Sequence, residues 1–182
     1  MANLICPECS REYVKRVSRR GIAERLLSIF YVYPFRCQLC ENRFRALQFG
    51  VRYQRIEGDR REYERIPTEF PVTFTGDSID GKGSVVDISM TGCTFHGHSQ
   101  LAQDKIIRVV LHVSEDVLPI SVEAAVVRSV HMNRVGLEFL QFERGERERL
   151  HLFIRGLLLG GWKLATYSSA PDLRVNENLL SH

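Results

Sequence analysis

The sequence predicts a mainly β protein, in which an antiparallel barrel or sandwich is followed by a helix and preceded by a small cysteine-rich module. Apolar residues alternate with polar ones in several short runs after Pro67, and this period-two alternation is typical of strands with one buried face. Two Cys-x-x-Cys pairs stand before these runs, and an apolar repeat of helical spacing follows them. The predicted fold class depends on these three observations.

The predicted strands are separated by turn signals, among them Asp80-Gly81, Thr91-Gly92 and Met132-Asn133. Glycine, asparagine and aspartate accept the backbone dihedrals of tight turns. The apolar residues that we assign to one face of each strand are Val72 and Phe74; Ile107, Val109, Leu111 and Val113; Ile120, Val122, Ala124 and Val126; and Val135, Leu137 and Phe139. Several short strands at roughly regular spacing indicate an antiparallel barrel or sandwich.

The last regular element is predicted to be a helix that begins near Glu143. Its apolar residues recur every three or four positions, at Leu150, Phe153, Ile154, Leu157 and Leu158. Gly160-Gly161 follows, and glycine is the usual residue just beyond a helix C-terminus. We expect the apolar face of this helix to cover an open end or side of the barrel, and residues 161–182 to form a poorly ordered tail.

Composition indicates a soluble globular protein. Hydrophobic residues make up 44% of the chain and charged residues 26%, which are ordinary values for such proteins. The apolar stretch from Leu26 to Phe35 is too short to cross a bilayer, which takes about 20 apolar residues. The N-terminus also lacks the apolar core of a signal peptide. We therefore expect a cytoplasmic protein without a transmembrane segment.

The two pairs Cys6-x-x-Cys9 and Cys37-x-x-Cys40 are separated by 27 residues. Four thiolates complete the tetrahedral coordination of Zn²⁺, which predicts a closed structural zinc site in a zinc-ribbon-like module. A dithiol redox pair or a disulfide framework would not explain two similar pairs in a cytosolic chain. The fifth cysteine, Cys93, is interpreted as a small buried apolar residue.

The N-terminal third of the chain is basic. Residues 1–65 hold 14 Lys and Arg against 8 Asp and Glu, a net charge of +6, whereas residues 66–182 have a net charge of −3. A cluster of basic residues lies between the cysteine pairs and comprises Lys15, Arg16, Arg19, Arg20 and Arg25. It could follow the phosphates of a nucleic acid, or be a solvated face or a surface for an acidic partner. The segment from Gly21 to Tyr33 fits a helix or a strand.

Two arginines, Arg61 and Arg65, stand four residues apart in a charged stretch. This spacing places both guanidinium groups on one side of the chain in a helix or an extended segment. A guanidinium fork matches phosphate oxygens and the O6/N7 edge of guanine. Arg60, just upstream, is a further donor, as are Arg55 and Arg52. Most pairs with this spacing are merely solvated, so the pair alone is a weak signal.

The second motif is Asp87-x-Ser89-x-x-Gly92, which follows the apolar Val85-Val86. Asp87 and Ser89 are two apart, so on a strand they face the same way. We expect Gly92 to supply the positive φ of a turn into the next strand. Alone, the motif is equally well a β-turn capped by Asp and Ser side chains.

Together, the two motifs resemble the PilZ domain family. The resemblance covers about residues 58–160 and includes Arg61-x-x-x-Arg65, Asp87-x-Ser89-x-x-Gly92 and the later run Val135-Gly136-Leu137-Glu138-Phe139. It implies a six-stranded antiparallel β-barrel with a C-terminal helix, whose ligand is the bacterial second messenger cyclic di-GMP. It also implies that Arg61 and Arg65 grip phosphates and guanine edges, that Asp87 and Ser89 contact a guanine, and that Gly92 shapes the turn.

The sequence thus predicts four regions. Residues 1–48 form the zinc-ribbon-like module, 49–60 a basic linker, 61–160 the barrel and helix, and 161–182 the tail. We expect a non-enzymatic receptor in bacterial signalling, in which cyclic di-GMP orders the arginine arm and changes contacts with an unknown protein partner. The alternatives are a nucleic-acid-binding ribbon regulated by the barrel, and a zinc hydrolase or dithiol oxidoreductase, which needs an open metal position or a reducible disulfide.

Overall fold

The computed structural model describes residues 4–51, 62–76, 79–97 and 101–160. The first of these ranges, which we name the four-cysteine module, contains β1 (Val14–Arg16), α1 (Gly21–Leu27), a short 3₁₀ helix (Ser28–Phe30), β2 (Val32–Cys37) and β3 (Arg43–Leu47). Most of the predicted linker, and the whole of the predicted tail, lie outside the described residues. The four predicted region boundaries therefore stay predictions.

The larger part of the structure is a closed antiparallel barrel. Its strands are β4 (Ile66–Thr75), β5 (Asp80–Ser89), β6 (Gly92–His96), β7 (Ile106–Leu111), β8 (Ile120–His131) and β9 (Arg134–Phe142), followed by helix α2 (Glu146–Leu158). The strand order around the barrel is β4-β5-β6-β9-β8-β7, and β7 pairs with β4 to close it. The predicted six-stranded barrel with a C-terminal helix is confirmed.

The barrel core consists of the inward-facing residues of the alternating runs. Val72, Val109, Leu111 and Val122 are fully buried, and full burial of one such side chain contributes about 1.5–3 kcal/mol. In β8 the predicted face is wrong at Ala124 but not at Val126, which is 6% exposed, because bulges on either side of Ala124 shift the register. Ala125 and Val127 are fully buried instead, whereas Ala124 is half-buried. A bulge inserts one residue and reverses the alternation beyond it.

The four-cysteine module has a three-stranded antiparallel sheet with β2 in the middle. The segment from Gly21 to Tyr33, which fits a helix or a strand by sequence, forms helix α1 and the 3₁₀ helix and then enters β2 at Val32. The spacing of Ile22, Leu26 and Ile29 is thus helical, but these side chains are 75%, 57% and 69% exposed. Their spacing is that of a helix, but their side chains are not part of a core.

Helix α2 begins at Glu146, three residues later than predicted. Gly145 precedes it with φ of +84°, a conformation that glycine adopts without a Cβ clash, and the chain from Glu143 to Gly145 is a turn. The helix ends at Leu158, and Gly160 has φ of +66°, so the predicted glycine stop is confirmed. No helix in the described ranges has the length and apolar character needed to cross a membrane.

The buried face of α2 packs against the barrel. Leu150, Phe153 and Ile154 are at most 3% exposed, and the Phe153 ring meets that of Phe70 on β4 edge-on, with centroids 5.6 Å apart. Edge-to-face aromatic pairs add about 0.5–1.5 kcal/mol to the stabilisation from burial. The buried face of the helix therefore belongs to the same core as the barrel.

We expect Phe153→Ala to lower the free energy of unfolding by about 3–5 kcal/mol, because it removes a ring from a filled core and leaves a cavity. Leu152→Ala is the matched control on the same helix, because Leu152 is 61% exposed and its truncation should change stability by less than about 0.5 kcal/mol. Urea denaturation followed by circular dichroism measures both. Equal losses in the two variants would contradict this packing.

Candidate functional site

A β-bulge on β5 aims the Asp-x-Ser motif away from the core. Val85 pairs with Phe95 and Asp87 pairs with the next residue, Thr94, so Val86 is the extra residue of the bulge. Val85 and Ile88, three apart, are both fully buried. Unbroken alternation would turn Asp87 inward with Val85. Because of the bulge, Asp87 lies on the outer surface of the barrel.

Arg65 is already held on this surface. Its Nη1 donates to Oδ1 of Asp87 at 3.0 Å and to Oγ1 of Thr94 at 2.5 Å, and the Arg65 and Asp87 side chains are 29% and 22% exposed. Asp87 and Thr94 are paired across β5 and β6. Two adjacent strands thus fix the guanidinium group where β4 begins.

Ser89 stabilises the hairpin between β5 and β6. Its hydroxyl donates to the carbonyl of Gly92 at 3.2 Å and accepts from the amide of Thr91 at 3.4 Å. The side chain is 4% exposed, and a buried hydroxyl needs such partners. The turn-capping role considered from the sequence is therefore present in the structure.

Gly92 does not have the positive φ that the sequence predicted, since it is absent from the positive-φ residues of the described chain. Its role is close approach, because a Cβ atom there would lie 2.1 Å from the carbonyl oxygen of Leu137 on β9. The backbone of β6 therefore passes β9 too closely for any side chain at this position. Gly92 shapes the site by strand contact, and the expectation about its dihedral was wrong.

Arg65, Ser89 and Gly92 line an open pocket of about 390 Å³, a volume typical of small-molecule sites. Its lining is Glu62, Tyr63, Arg65, Ser89, Thr91, Gly92, Arg128, Ser129, Gly136, Leu137 and Glu138. Arg128, on the β8 side, bonds Oε2 of Glu138 through Nε at 2.6 Å. The pocket therefore has arginines on two walls and hydroxyl and carboxylate groups between them. Such a lining suits an anionic ligand with polar edges.

Comparison with known families identifies the barrel. The sequence model of the PilZ domain matches residues 59–156, more than half of the chain. The chain belongs to the PilZ domain family. A search of curated proteins finds no match to the chain.

The solved structures that are similar to this chain include two whose names describe a role or a domain. The inhibitor of motility (MotI/DgrA) of Bacillus subtilis is 18% identical, with a TM-score of 0.50 over 65% of this chain and 60% of that one. The PilZ domain of CeSA from a cellulose-synthesizing bacterium is 18% identical, with a TM-score of 0.40 over 53% of this chain and 96% of that one. At 18% identity, the likeness to MotI/DgrA supports the fold alone.

Membership of the PilZ family supports a role in signalling through cyclic di-GMP. Of the residues that the sequence predicted for this ligand, Arg65, Ser89 and Gly92 line the pocket, and Asp87 bonds Arg65 beside it. Arg60 and Arg61 lie outside the described residues. The ligand contacts of the whole set stay predictions.

The second cluster is formed by the Sγ atoms of Cys6, Cys9, Cys37 and Cys40, which all lie within 4.8 Å of one another. The distances from Cys6 to Cys40 and from Cys9 to Cys37 are both 3.5 Å. Tetrahedral Zn²⁺ with Zn–S bonds of about 2.3 Å would hold its sulfurs about 3.8 Å apart. All four cysteines are free thiols, so the disulfide alternative does not describe this structure. The geometry fits a four-coordinate metal ion.

Both Cys-x-x-Cys turns have the same construction. The residue directly after the second cysteine, Ser10 in one turn and Glu41 in the other, has a positive φ of 55° or 60°. This conformation brings the chain back after the second ligand, although glycine would adopt it with less strain. In the second turn, the amide of Leu39 donates to Sγ of Cys37 at 3.4 Å. Such a bond favours the thiolate form that a metal ion binds.

The thiols of this cluster have unequal acidities. Burial raises the pKa of Cys40 to about 12 and also raises that of Cys37. For Cys6, burial raises the pKa, but hydrogen bonds with the backbone of Cys9 and Glu8 and with the thiols of Cys40 and Cys9 together outweigh it and lower the pKa to about 7. Four adjacent thiolates need a compensating cation, and metal binding displaces their protons. Cys93 is separate from the cluster, and burial raises its pKa to about 12.

The four-cysteine module contacts both helix α2 and the segment just before β4. We name this segment, residues 62–65, the arm. Nε2 of His151 on α2 donates to the carbonyl of Leu39 at 2.5 Å, and Leu158 packs against the cysteine cluster. The side chain of Gln38, in the module, forms hydrogen bonds with the backbone of the arm at Glu62 and Glu64. The module is therefore joined to the segment that separates Arg61 from Arg65.

Sequence reasoning missed Thr94, Arg128, Glu138 and Gln38. Thr94 and Glu138 reach the site through strand pairing, of β6 with β5 and of β9 with β6, and Arg128 comes from β8 in the long hairpin with β9. No local motif marks Thr94 or Arg128, and the run that contains Glu138 gave it no role in the site. Gln38, by contrast, lies between two cysteines of the cluster, Cys37 and Cys40, and a long polar side chain in that turn was the available signal.

We expect Gly92→Ala to destabilise the barrel by about 2 kcal/mol, because the new Cβ would collide with strand backbone that cannot move aside. Gly136→Ala on β9 is the matched control. Its Cβ would lie 2.5 Å from Oγ of Ser129, a hydroxyl that can rotate away, so its cost should be below about 1 kcal/mol. Thermal unfolding compares the two variants, and an equal or smaller loss for Gly92→Ala would refute the close-approach role.

Proposed function

We propose that this chain is a non-enzymatic receptor for cyclic di-GMP, which binds at the pocket formed by the arm, the β5–β6 hairpin and strands β8 and β9. The observation that carries this proposal is the placement of Arg65 on the outer surface of a PilZ barrel, held by Asp87 and Thr94 at the pocket. A preformed guanidinium group loses little side-chain freedom when an anionic ligand binds.

The chemistry of the ligand agrees with the residues present. Cyclic di-GMP has two phosphates and two guanine bases, so its receptor needs arginine forks for the phosphates or the O6/N7 edges. It also needs an acceptor for guanine N–H groups. We assign the first role to Arg65 together with Arg61 and Arg60, and the second to Asp87. Ser89 lines the pocket as a further contact, and Gly92 sets its shape.

We also propose that Cys6, Cys9, Cys37 and Cys40 hold one structural zinc ion. Four cysteine ligands leave no open coordination position, so the metal would stabilise the module rather than act on a substrate. This closed arrangement disfavours the hydrolase alternative, and the gathering of all four thiols in one cluster disfavours the oxidoreductase. Reduced thiols of this kind are typical of the cytoplasm, where we place the protein.

The nucleic-acid-binding alternative draws less support from the structure. Within the predicted basic cluster, Nη2 of Arg20 pairs with Glu62 and Nη1 of Arg19 donates to Ser28 at 2.7 Å. These arginines hold the module together and attach it to the arm, which leaves less free positive charge for phosphates. We propose instead that ligand binding fixes the arginine arm and changes how the four-cysteine module meets a protein partner.

We expect Arg65→Ala and Asp87→Ala each to weaken cyclic di-GMP binding by at least about tenfold, since hydrogen bonds to charged groups contribute about 1.5–3 kcal/mol. Isothermal titration calorimetry on the full chain measures this. Arg108→Ala on β7, an exposed arginine outside the pocket lining, is the matched control and should bind like the wild type. A folded wild type without measurable binding, or equal affinity in all variants, would exclude the proposal.

We expect Cys37→Ala to abolish stoichiometric zinc retention, because three thiolates bind Zn²⁺ far less tightly than four. The matched control is Cys93→Ala, which changes a fully buried cysteine outside the cluster and should leave one equivalent of zinc bound. Elemental analysis after gel filtration gives the zinc content. Full zinc retention in Cys37→Ala would contradict the assigned ligand set.

A further inference from the structure

Gln38 joins the metal-binding turn to the backbone of the arm. It lies between Cys37 and Cys40 and is 5% exposed. Its Oε1 accepts from the amide of Glu64 at 2.7 Å, and its Nε2 donates to the carbonyl of Glu62 at 3.2 Å. One side chain thus pairs with the arm as a neighbouring strand would, and buried backbone groups that lose such partners are costly.

Arg36 makes a second attachment at Tyr63. Its Nη1 donates to the phenol oxygen at 3.0 Å, and its guanidinium carbon lies 5.1 Å from the centre of the Tyr63 ring. Tyr63 is 7% exposed and belongs to the barrel core. The arginine therefore stacks on a ring that belongs to the barrel core cluster, and this contact joins the four-cysteine module to the barrel next to the pocket.

Glu62 brings a negative charge to the pocket, and the module neutralises it. Its carboxylate pairs with Arg36 at 3.1 Å and with Arg20, and Nη1 of Arg43 lies 3.9 Å away. Glu62 also lines the pocket, where an unpaired carboxylate would repel an anionic ligand. The same arginines therefore fix the arm and cancel the charge that opposes binding.

We propose that the four-cysteine module is a clamp for the ligand-binding arm, with Gln38 and Arg36 as positioning residues that raise the affinity for cyclic di-GMP. This inference rests on the proposed function. Residues 62–64 are the link between the two predicted arginine ligands, so holding their backbone limits the freedom that the arm must lose on binding. Metal binding and ligand binding are then coupled, because each favours the same clamped arm.

Gln38→Ala tests the clamp, and Gln141→Ala is its matched control, since the exposed Gln141 bonds Glu123 outside the pocket lining. We expect calorimetry on the full chain to show cyclic di-GMP binding weakened about tenfold in Gln38→Ala and unchanged in Gln141→Ala. Hydrogen exchange without ligand should be faster at the Glu64 amide in Gln38→Ala alone. Zinc content, measured in parallel, should stay at one equivalent in both.

The outcomes separate this inference from the proposed function. Binding by the wild type with unchanged or tighter binding in Gln38→Ala would overturn the clamp and leave the receptor proposal standing. A folded wild type that does not bind cyclic di-GMP would overturn both. Competition with a zinc chelator gives a further readout: ligand should raise zinc affinity in the wild type and less in Gln38→Ala, and equal effects in the two would overturn the coupling.

Discussion

The β-bulge at Val86 is the constraint on which the proposed ligand site depends. It lets Val85 and Ile88 share the core while Asp87 faces outward. Asp87 and Thr94 can then hold Arg65. The core and the site are therefore specified by the same strand, because the extra residue separates the two faces. A strand without the bulge that kept Val85 in the core would bury the carboxylate of Asp87 and expose Ile88.

The arm extends this site beyond the barrel. Gln38 forms a hydrogen bond with its backbone. Tyr63 stacks against Arg36, and Glu62 pairs with arginines of the four-cysteine module. These contacts come from a turn whose shape a metal ion would fix. The small module has few buried apolar residues of its own, so metal binding and docking onto the barrel would replace a core.

Much of this could be predicted from local sequence. Alternation indicated the strands, and spacing indicated α2 and the cysteine cluster, because these signals come from neighbouring residues. The predicted burial of Ala124 was wrong because of bulges, which depend on the pairing between strands and not on neighbouring residues. The expectation of a positive φ at Gly92 was wrong, and the close approach of β9 that explains this glycine is not visible in its sequence neighbours. Arg128 lines the pocket through the pairing of β8 with β9, which no local pattern records.

The most direct test of the proposed ligand site and of the clamp is a crystal structure of the full chain with zinc and cyclic di-GMP. It should show ligand phosphates or guanine edges at Arg65, a guanine beside Asp87, and Gln38 still bonded to the backbone of Glu62 and Glu64. Ligand bound elsewhere on the barrel would contradict the assigned site. Ligand bound at Arg65 with the arm released from Gln38 would contradict the clamp.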